Sequence, residues 1–341
     1  MTHIKVAHVG NDANVAYFYS HLLRKLGVES TVYQTRTPLN FETQIMNYGY
    51  DSGNPLSINL KYLEGKNLVN RILDLVKIGS EYDVIHLHGG GGLVGSTSTK
   101  FTPVKRIGHF HGSDIRRFGP TSRKKKRFRL WFFKKIINFD KILVSTPDLI
   151  KEVWTGANAE VLLNPLDPVI ENIERGKGDY IFLPTRHDNF VKGTDRFFRA
   201  WRTIRERLPH IKLVTIRWGV DCPRLEEDTK DDNRIIWINP LTRTEYIEYL
   251  RGSQLVIGQF ILDIYSLIEL EAIYSGIPLI SLHSSKINSP EEIANEATRL
   301  LGNDAHRLKV VNNLKREIEK IYNPDKLSRQ LYSIYMELLE Q

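Results

Sequence analysis

With 341 residues, 41% hydrophobic and 26% charged, the chain can build two cores of about 150–180 residues each, and its composition excludes a disordered or collagen-like polymer. No apolar run approaches the roughly 20 residues that span a bilayer, the opening MTHIKVAHVG lacks a signal-peptide pattern, and one cysteine, Cys222, cannot build a disulfide framework; the expected setting is the cytoplasm. The net charge of +8 calls for anionic partners, whether nucleotides, phosphorylated lipids, a membrane surface or nucleic acid.

In chain order, IKVAHVG (4–10) reads as a buried strand. Residues 14–26 then carry Val15, Phe18, Tyr19, Leu22, Leu23 and Leu26 at helical spacing, with Gly27 just past the helix end. Further strands are expected at 30–35, 83–88, 105–111, 141–146 and 160–163, with helices at 66–78 and 122–138. The segment 164–179 has two prolines, two glycines and no apolar period, and reads as a linker. The alternation restarts with strands at 180–185, 211–216, 234–239, 255–260 and 277–282. Helices follow at 194–208, from the Ser289-Pro290-Glu291-Glu292 capping box, and at 324–339. Such alternation implies an α/β protein with a parallel sheet in each half. The expected division is 1–166, a linker 167–179, 180–322, and a final helix 323–341 returning to the first domain. Ligands of open α/β sheets bind outside the carboxyl ends of the strands, in the cleft between the halves.

Just after the strand at 180–185, TRHDNFVKG places Arg186 and Lys192 in a loop that opens a helix, which suits a phosphate group and equally suits ordinary loop charges. In LDIYSLIELEAIYSGIPLISL (262–282), Ser266 is placed to cap a helix carrying Glu269 and Glu271. Backbone N–H groups near Tyr265, Ser266, Leu267 and Ile268 then form an anion site. Glu271 sits in an apolar stretch, where a carboxylate needs a partner or a ligand.

The pairing of R…KG after the first strand of the second half with E-A-x-x-x-G-x-P near the end resembles glycosyltransferase family 4, of the GT-B fold: two Rossmann-like parallel-sheet domains facing across a cleft. The resemblance extends over nearly the whole chain. It implies that Arg186 and Lys192 hold the donor diphosphate, that Glu271 binds the ribose, and that Asp263 approaches the sugar hydroxyls. Asp263 stands where the family has Glu, and Tyr265-Ser266 where it has Phe-Gly. The stretch 233–257 matches the segment in which a strand edge meets the base, making Trp237 and Ile238 candidates, although a strand tryptophan also serves as core. Gly10 occupies the place of a glycine loop near donor and acceptor.

In the first half, HLHGGGG (86–92) and HFHGSD (109–114) each put two alternating histidines at a strand end. Two H-x-H pairs invite a zinc site. Only His88 and His111 reach the strand ends, however, and no metal-binding carboxylate stands nearby beyond Asp114, so no metal is expected. By resemblance His111 hydrogen-bonds the donor sugar or the transferring oxygen. Ten cations crowd between Arg116 and Lys135. With Asp114, Arg116 and Lys124, Lys125, Lys126 and Arg127 they face either solvent or an acceptor on an anionic membrane, over an apolar stripe that packs inward.

The expected function is a metal-independent, retaining glycosyltransferase, hexosyl by preference. It takes a UDP- or GDP-sugar as co-substrate with no cofactor, and acts on a glycan or lipid-linked glycan, in the cytoplasm or peripheral on the inner membrane face. Its rivals are a sugar-nucleotide epimerase of the same architecture and a catalytically idle nucleotide-sugar binder. A nucleic-acid binder is disfavoured for want of a recognition motif.

Overall fold

The computed structural model describes residues 4–11, 14–35, 60–63, 68–89, 102–112, 114–116, 131, 134, 139–166, 170 and 178–341. The chain divides into two compact units, residues 1–165 with 322–341, and 166–321.

Unit 1 is built on a seven-stranded sheet in the order β3-β2-β1-β4-β5-β6-β7, parallel throughout. The strands are β1 (Lys5–Val9), β2 (Glu29–Thr35), β3 (Leu60–Leu63), β4 (Val84–His88), β5 (Lys105–Phe110), β6 (Lys141–Val144) and β7 (Ala159–Val161). Helix α1 (Val15–Lys25) follows β1 and α2 (Leu68–Glu81) precedes β4. The central strand β4 is buried along its whole length, the alternating histidines His86 and His88 included. Helix α1 ends as its sequence dictates. Gly27 takes φ 84, its N–H bonds Arg24 O at 3.0 Å, and the Val28 N–H bonds Leu23 O at 3.2 Å, closing a Schellman motif.

Unit 2 carries a five-stranded parallel sheet in the order β10-β9-β8-β11-β12. Its strands are β8 (Tyr180–Leu183), β9 (Lys212–Ile216), β10 (Ile235–Ile238), β11 (Leu255–Ile257) and β12 (Leu279–Ile280). Its helices are α3 (Asp195–Arg207), α4 (Cys222–Asp228), α5 (Arg243–Gly252), α6 (Leu267–Tyr274), α7 (Leu282–Ser285), α8 (Pro290–Gly302) and α9 (Asp304–Ile321). Phe197, Trp201 and Ile204 of α3 meet Ile293, Ala294 and Ala297 of α8 in one core cluster. The capping box at Ser289 forms as the sequence predicts, with Glu292 accepting from the Ser289 N–H at 3.1 Å.

The last helix, α10 (Pro324–Leu339), belongs to unit 1 and packs on α1. Its Tyr335 is fully buried. The sequence reading missed β3, a four-residue edge strand with no hydrophobic period to announce it. The expected helix at 122–138 lies outside the described residues apart from Trp131 and Lys134, both exposed. Much of the expected linker, 167–169 and 171–177, lies outside them too. No helix among the described residues is long and apolar enough to cross a membrane.

Candidate functional site

In unit 2 the chain leaves β8 through Pro184 and Thr185 and enters the loop that carries Arg186 and Lys192. The loop is pinned from within. The Asp188 carbonyl accepts from the N–H groups of Val191 (3.2 Å) and Lys192 (2.6 Å). Gly193 takes φ 69, where a β-carbon would meet Ile261 at 3.0 Å. Beneath the loop His187 is fully buried, its ring nitrogens engaging Thr194 Oγ1 (3.3 Å) and Thr215 Oγ1 (3.0 Å). Burial lowers its pKa to about 4, so the ring is neutral and acts as a polar strut. Arg186 is half-buried and pairs with Asp188 at 3.4 Å.

Lys192 Nζ donates to Gln259 Oε1 at 2.8 Å. Gln259, just past β11, also donates through Nε2 to Ile264 O at 2.9 Å. Its backbone N–H bonds Glu269 Oε1 at 2.9 Å, while Glu269 Oε2 accepts from the Ser266 N–H at 2.5 Å. Gln259 thus joins the cationic loop to the N-terminus of α6. Sequence reasoning missed it, because a glutamine after a strand carries no signature of its own. Glu269 is fully buried, and burial raises its pKa against the opposing hydrogen bonds of Ser266 and Gln259 and the charge of Lys192. Gly258 makes room for it, since a β-carbon there would stand 2.0 Å from Glu269 Oε1. With Ser266 as cap, the first-turn N–H groups of Leu267 and Ile268 have no carbonyl within the helix to bond.

Glu271 is buried one turn further along α6. Its partner is Arg243, the first residue of α5: Nη2 to Oε1 is 2.8 Å, with the two side chains 7% and 6% exposed. Arg243 was not foreseen. Glu271 Oε2 makes no hydrogen bond among the described residues. Asp263 is exposed, paired with His283 Nδ1 (2.6 Å) and Lys286 Nζ (2.7 Å); Lys286 first and then His283 hold its pKa below the usual carboxylate range. Tyr265 is buried with its ring edge-on to His283, centroids 4.3 Å apart. On the edge strand β10, Trp237 is half-buried, stacks on Phe198 at 5.7 Å and packs against the core cluster. The Ile238 carbonyl accepts from Arg217 N–H at 2.8 Å. Trp237 therefore serves as core at least along one face.

In unit 1 the parallel register sets His8 of β1 opposite His86 of β4, and His88 opposite His109 of β5. Together with His111 they form a cluster of five imidazoles at the carboxyl ends of three central strands. His88 and His111 do stand at the strand ends, as the sequence indicated, and the parallel register adds His8, His86 and His109 from within the strands to the same cluster. Contacts run from His8 Nδ1 to His88 Nε2 (2.9 Å), from His88 Nδ1 to His111 Nε2 (3.1 Å), and from His111 Nδ1 to Asn164 Oδ1 (3.1 Å). His86 Nδ1 meets Tyr335 Oη at 2.7 Å, and His109 Nε2 meets the Leu162 carbonyl at 3.2 Å. Burial lowers the pKa of His8 to about 3; burial and then neighbouring imidazoles hold His86, His88 and His109 well below the usual histidine range. Those four rings are neutral at pH 7.

Gly10 takes φ 86 beside this cluster, where a β-carbon would lie 2.7 Å from His88 O. Asp114 is buried and accepts from the N–H groups of His111 (2.9 Å), Gly112 (2.8 Å) and Ile115 (3.0 Å); it staples the turn after β5. Arg116, expected to face an acceptor or membrane, is folded onto Asp148 in a two-pronged pair at 2.8 and 3.1 Å and onto Thr146 Oγ1 at 2.8 Å. Lys124, Lys125, Lys126 and Arg127 lie outside the described residues.

No family model matches the chain, and no curated protein sequence does. Solved structures do. A sucrose-phosphate synthase from Thermosynechococcus elongatus superposes with a TM-score of 0.72 at 14% identity, covering 99% of each chain. A UDP-GlcNAc 2-epimerase from Neisseria meningitidis, bound to UDP-GlcNAc, gives 0.61 at 14%, covering 98% of this chain and 100% of that one. AviGT4, a glycosyltransferase involved in avilamycin A biosynthesis, gives 0.59 at 13%, covering 99% and 98%. At such identities the likeness is one of fold, and the fold is the two-sheet GT-B architecture.

Proposed function

We propose that the chain is a retaining glycosyltransferase of the family 4 type, moving a sugar from a nucleoside diphosphate donor to a hydroxyl acceptor. The observation that carries this reading is the joining, through Gln259, of the Arg186–Lys192 loop to the N-terminus of α6. The breaking bond leaves negative charge on a diphosphate, and preorganised cations with unpaired backbone N–H groups stabilise it without reorganising. In this role Arg186 and Lys192 take the phosphate oxygens, Lys192 exchanging its Gln259 partner for the ligand. The first-turn N–H groups of α6 add their partial positive charge. The leaving group then needs no metal ion at the diphosphate.

Glu271, held in place by Arg243, offers Oε2 to a ribose hydroxyl. The β10 edge at Trp237 and Ile238 lies beside the base, UDP or GDP being the expected nucleotides. Asp263 reaches the sugar hydroxyls once its exposed pairs with His283 and Lys286 open. His111 contacts the sugar only by giving up His88 or Asn164. The acceptor is a glycan or lipid-linked glycan, reached at an anionic membrane face through the basic residues beyond Arg116.

The epimerase reading draws on the Neisseria enzyme, whose chain is covered throughout at 14% identity. Incubation with UDP- and GDP-sugars separates the two. Transfer to added acceptor with retained anomeric configuration supports the proposal, whereas an epimerised sugar nucleotide formed from donor alone overturns it.

A further inference from the structure

His88, His109 and His111 each place one ring nitrogen within 4.8 Å of the other two. Their hydrogen-bond partners decide which nitrogen of each ring is left for a ligand. The Leu162 carbonyl can only accept, so His109 carries its hydrogen on Nε2 and its lone pair on Nδ1. Asn164 Oδ1 likewise takes the hydrogen of His111 Nδ1, which leaves the lone pair on Nε2. Two lone pairs therefore converge beside His88 Nδ1, whose single hydrogen serves one of them, His111 Nε2, at 3.1 Å. His109 Nδ1 is fully buried and has no hydrogen-bond partner. Three ring nitrogens with one proton among them are an incomplete hydrogen-bond set and a complete ligand set.

We propose that this triad binds one divalent transition-metal ion of the zinc class, through His88 Nδ1, His109 Nδ1 and His111 Nε2. Tetrahedral zinc bonds of about 2.0–2.1 Å ask for nitrogens about 3.3 Å apart, near the His88–His111 separation. Three neutral imidazoles select zinc, copper, nickel or cobalt over magnesium and calcium. Each ligand already has its outer nitrogen engaged, His109 by Leu162, His111 by Asn164 and His88 by His8 Nδ1 at 2.9 Å, as metal-bound histidines require. Binding moves the His88 hydrogen from Nδ1 to Nε2, from where it bonds His8 Nδ1; the His8 hydrogen moves in turn to its Nε2. No proton is released. A second group, His8, His86 and His88, shares His88 but is buried throughout, whereas His111 is half-buried and gives the ion a way in. Among the described residues no fourth protein ligand joins the triad, and water or a ligand oxygen would complete the tetrahedron.

The inference stands apart from the sugar-transfer reading, which puts no metal on the diphosphate, and its test needs no turnover. The full chain is stripped with chelator, equilibrated with Zn²⁺ or Co²⁺, freed of excess ion and assayed for bound metal and for cobalt visible absorption. One equivalent of zinc is expected, with the intense bands of four-coordinate cobalt bleached by added zinc. His111→Ala abolishes both, Asn164→Ala weakens zinc binding about 10–100-fold, and the exposed His210→Ala changes neither; circular dichroism confirms that each variant is folded. Substoichiometric metal on the wild-type chain, or full metal on folded His111→Ala, overturns the site.

Discussion

At Gly258 the missing side chain is the feature that matters. A β-carbon would stand 2.0 Å from Glu269 Oε1, and that carboxylate cannot swing away without releasing the Gln259 and Ser266 N–H groups. Gly258→Ala is expected to cost about 1–3 kcal/mol by overpacking, read as a lowered unfolding midpoint, and to weaken nucleotide binding because the N-terminus of α6 shifts with it. An unchanged midpoint would show that the helix start is loose. His187 gives a pH signature. Its pKa of about 4 in the folded chain lies below the ordinary value of 6.5, so the unfolded chain takes up the proton first and stability is lost as pH falls from about 6.5 towards 4. Relative to His187→Gln, the wild type should lose about 2 kcal/mol between pH 7.5 and pH 5, measured by urea unfolding; parallel losses in both proteins would contradict the buried neutral ring. Arg186 and Lys192 were legible in the sequence because a loop between strand and helix is short and its position is known. Gln259 and Arg243 were not, since each acts through a partner whose identity only the folded chain supplies.

The ion pair between α5 and α6 is a matter of elements rather than of one side chain. Glu271→Ala leaves Arg243 buried beside an empty place, at an expected cost of about 3–5 kcal/mol. The double variant Glu271→Leu with Arg243→Met should restore most of that stability, since apolar replacements of a buried pair are often neutral. If Glu271 also holds the ribose, the restored protein still fails to bind nucleotide; recovery of binding together with stability would assign the pair to architecture alone. Helix α10 makes a similar case in unit 1. It buries Leu327, Leu331, Ile334, Tyr335 and Leu338 and supplies the Tyr335 hydroxyl to His86. Each large side chain is worth about 1.5–3 kcal/mol, so truncation after Ile321 should leave unit 1 sensitive to protease; a resistant unit 1 would contradict this. The helices α1, α3, α8 and α10 could be read from their apolar periods and caps. Strand β3 could not, being too short for periodicity, and α9, with only Val311, Leu314 and Ile318 buried, shows too narrow an apolar stripe.

For the whole molecule, the α/β alternation and its restart near residue 180 announced two parallel sheets, and the described residues form sheets of seven and five strands. Strand order and register were beyond the sequence, and with them the meeting of five histidines drawn from β1, β4, β5 and the residue just after β5. At 13–14% identity to solved structures of like fold, chemistry has to be argued from side chains. The claim that unit 2 binds a nucleoside diphosphate sugar is tested most directly by thermal shift of the wild type and Lys192→Ala with UDP-, GDP- and ADP-sugars. One nucleotide class should raise the wild-type midpoint, with affinity falling about 10–100-fold in Lys192→Ala, the worth of a charge-assisted hydrogen bond to phosphate. No stabilisation of the wild type by any of them would contradict the account.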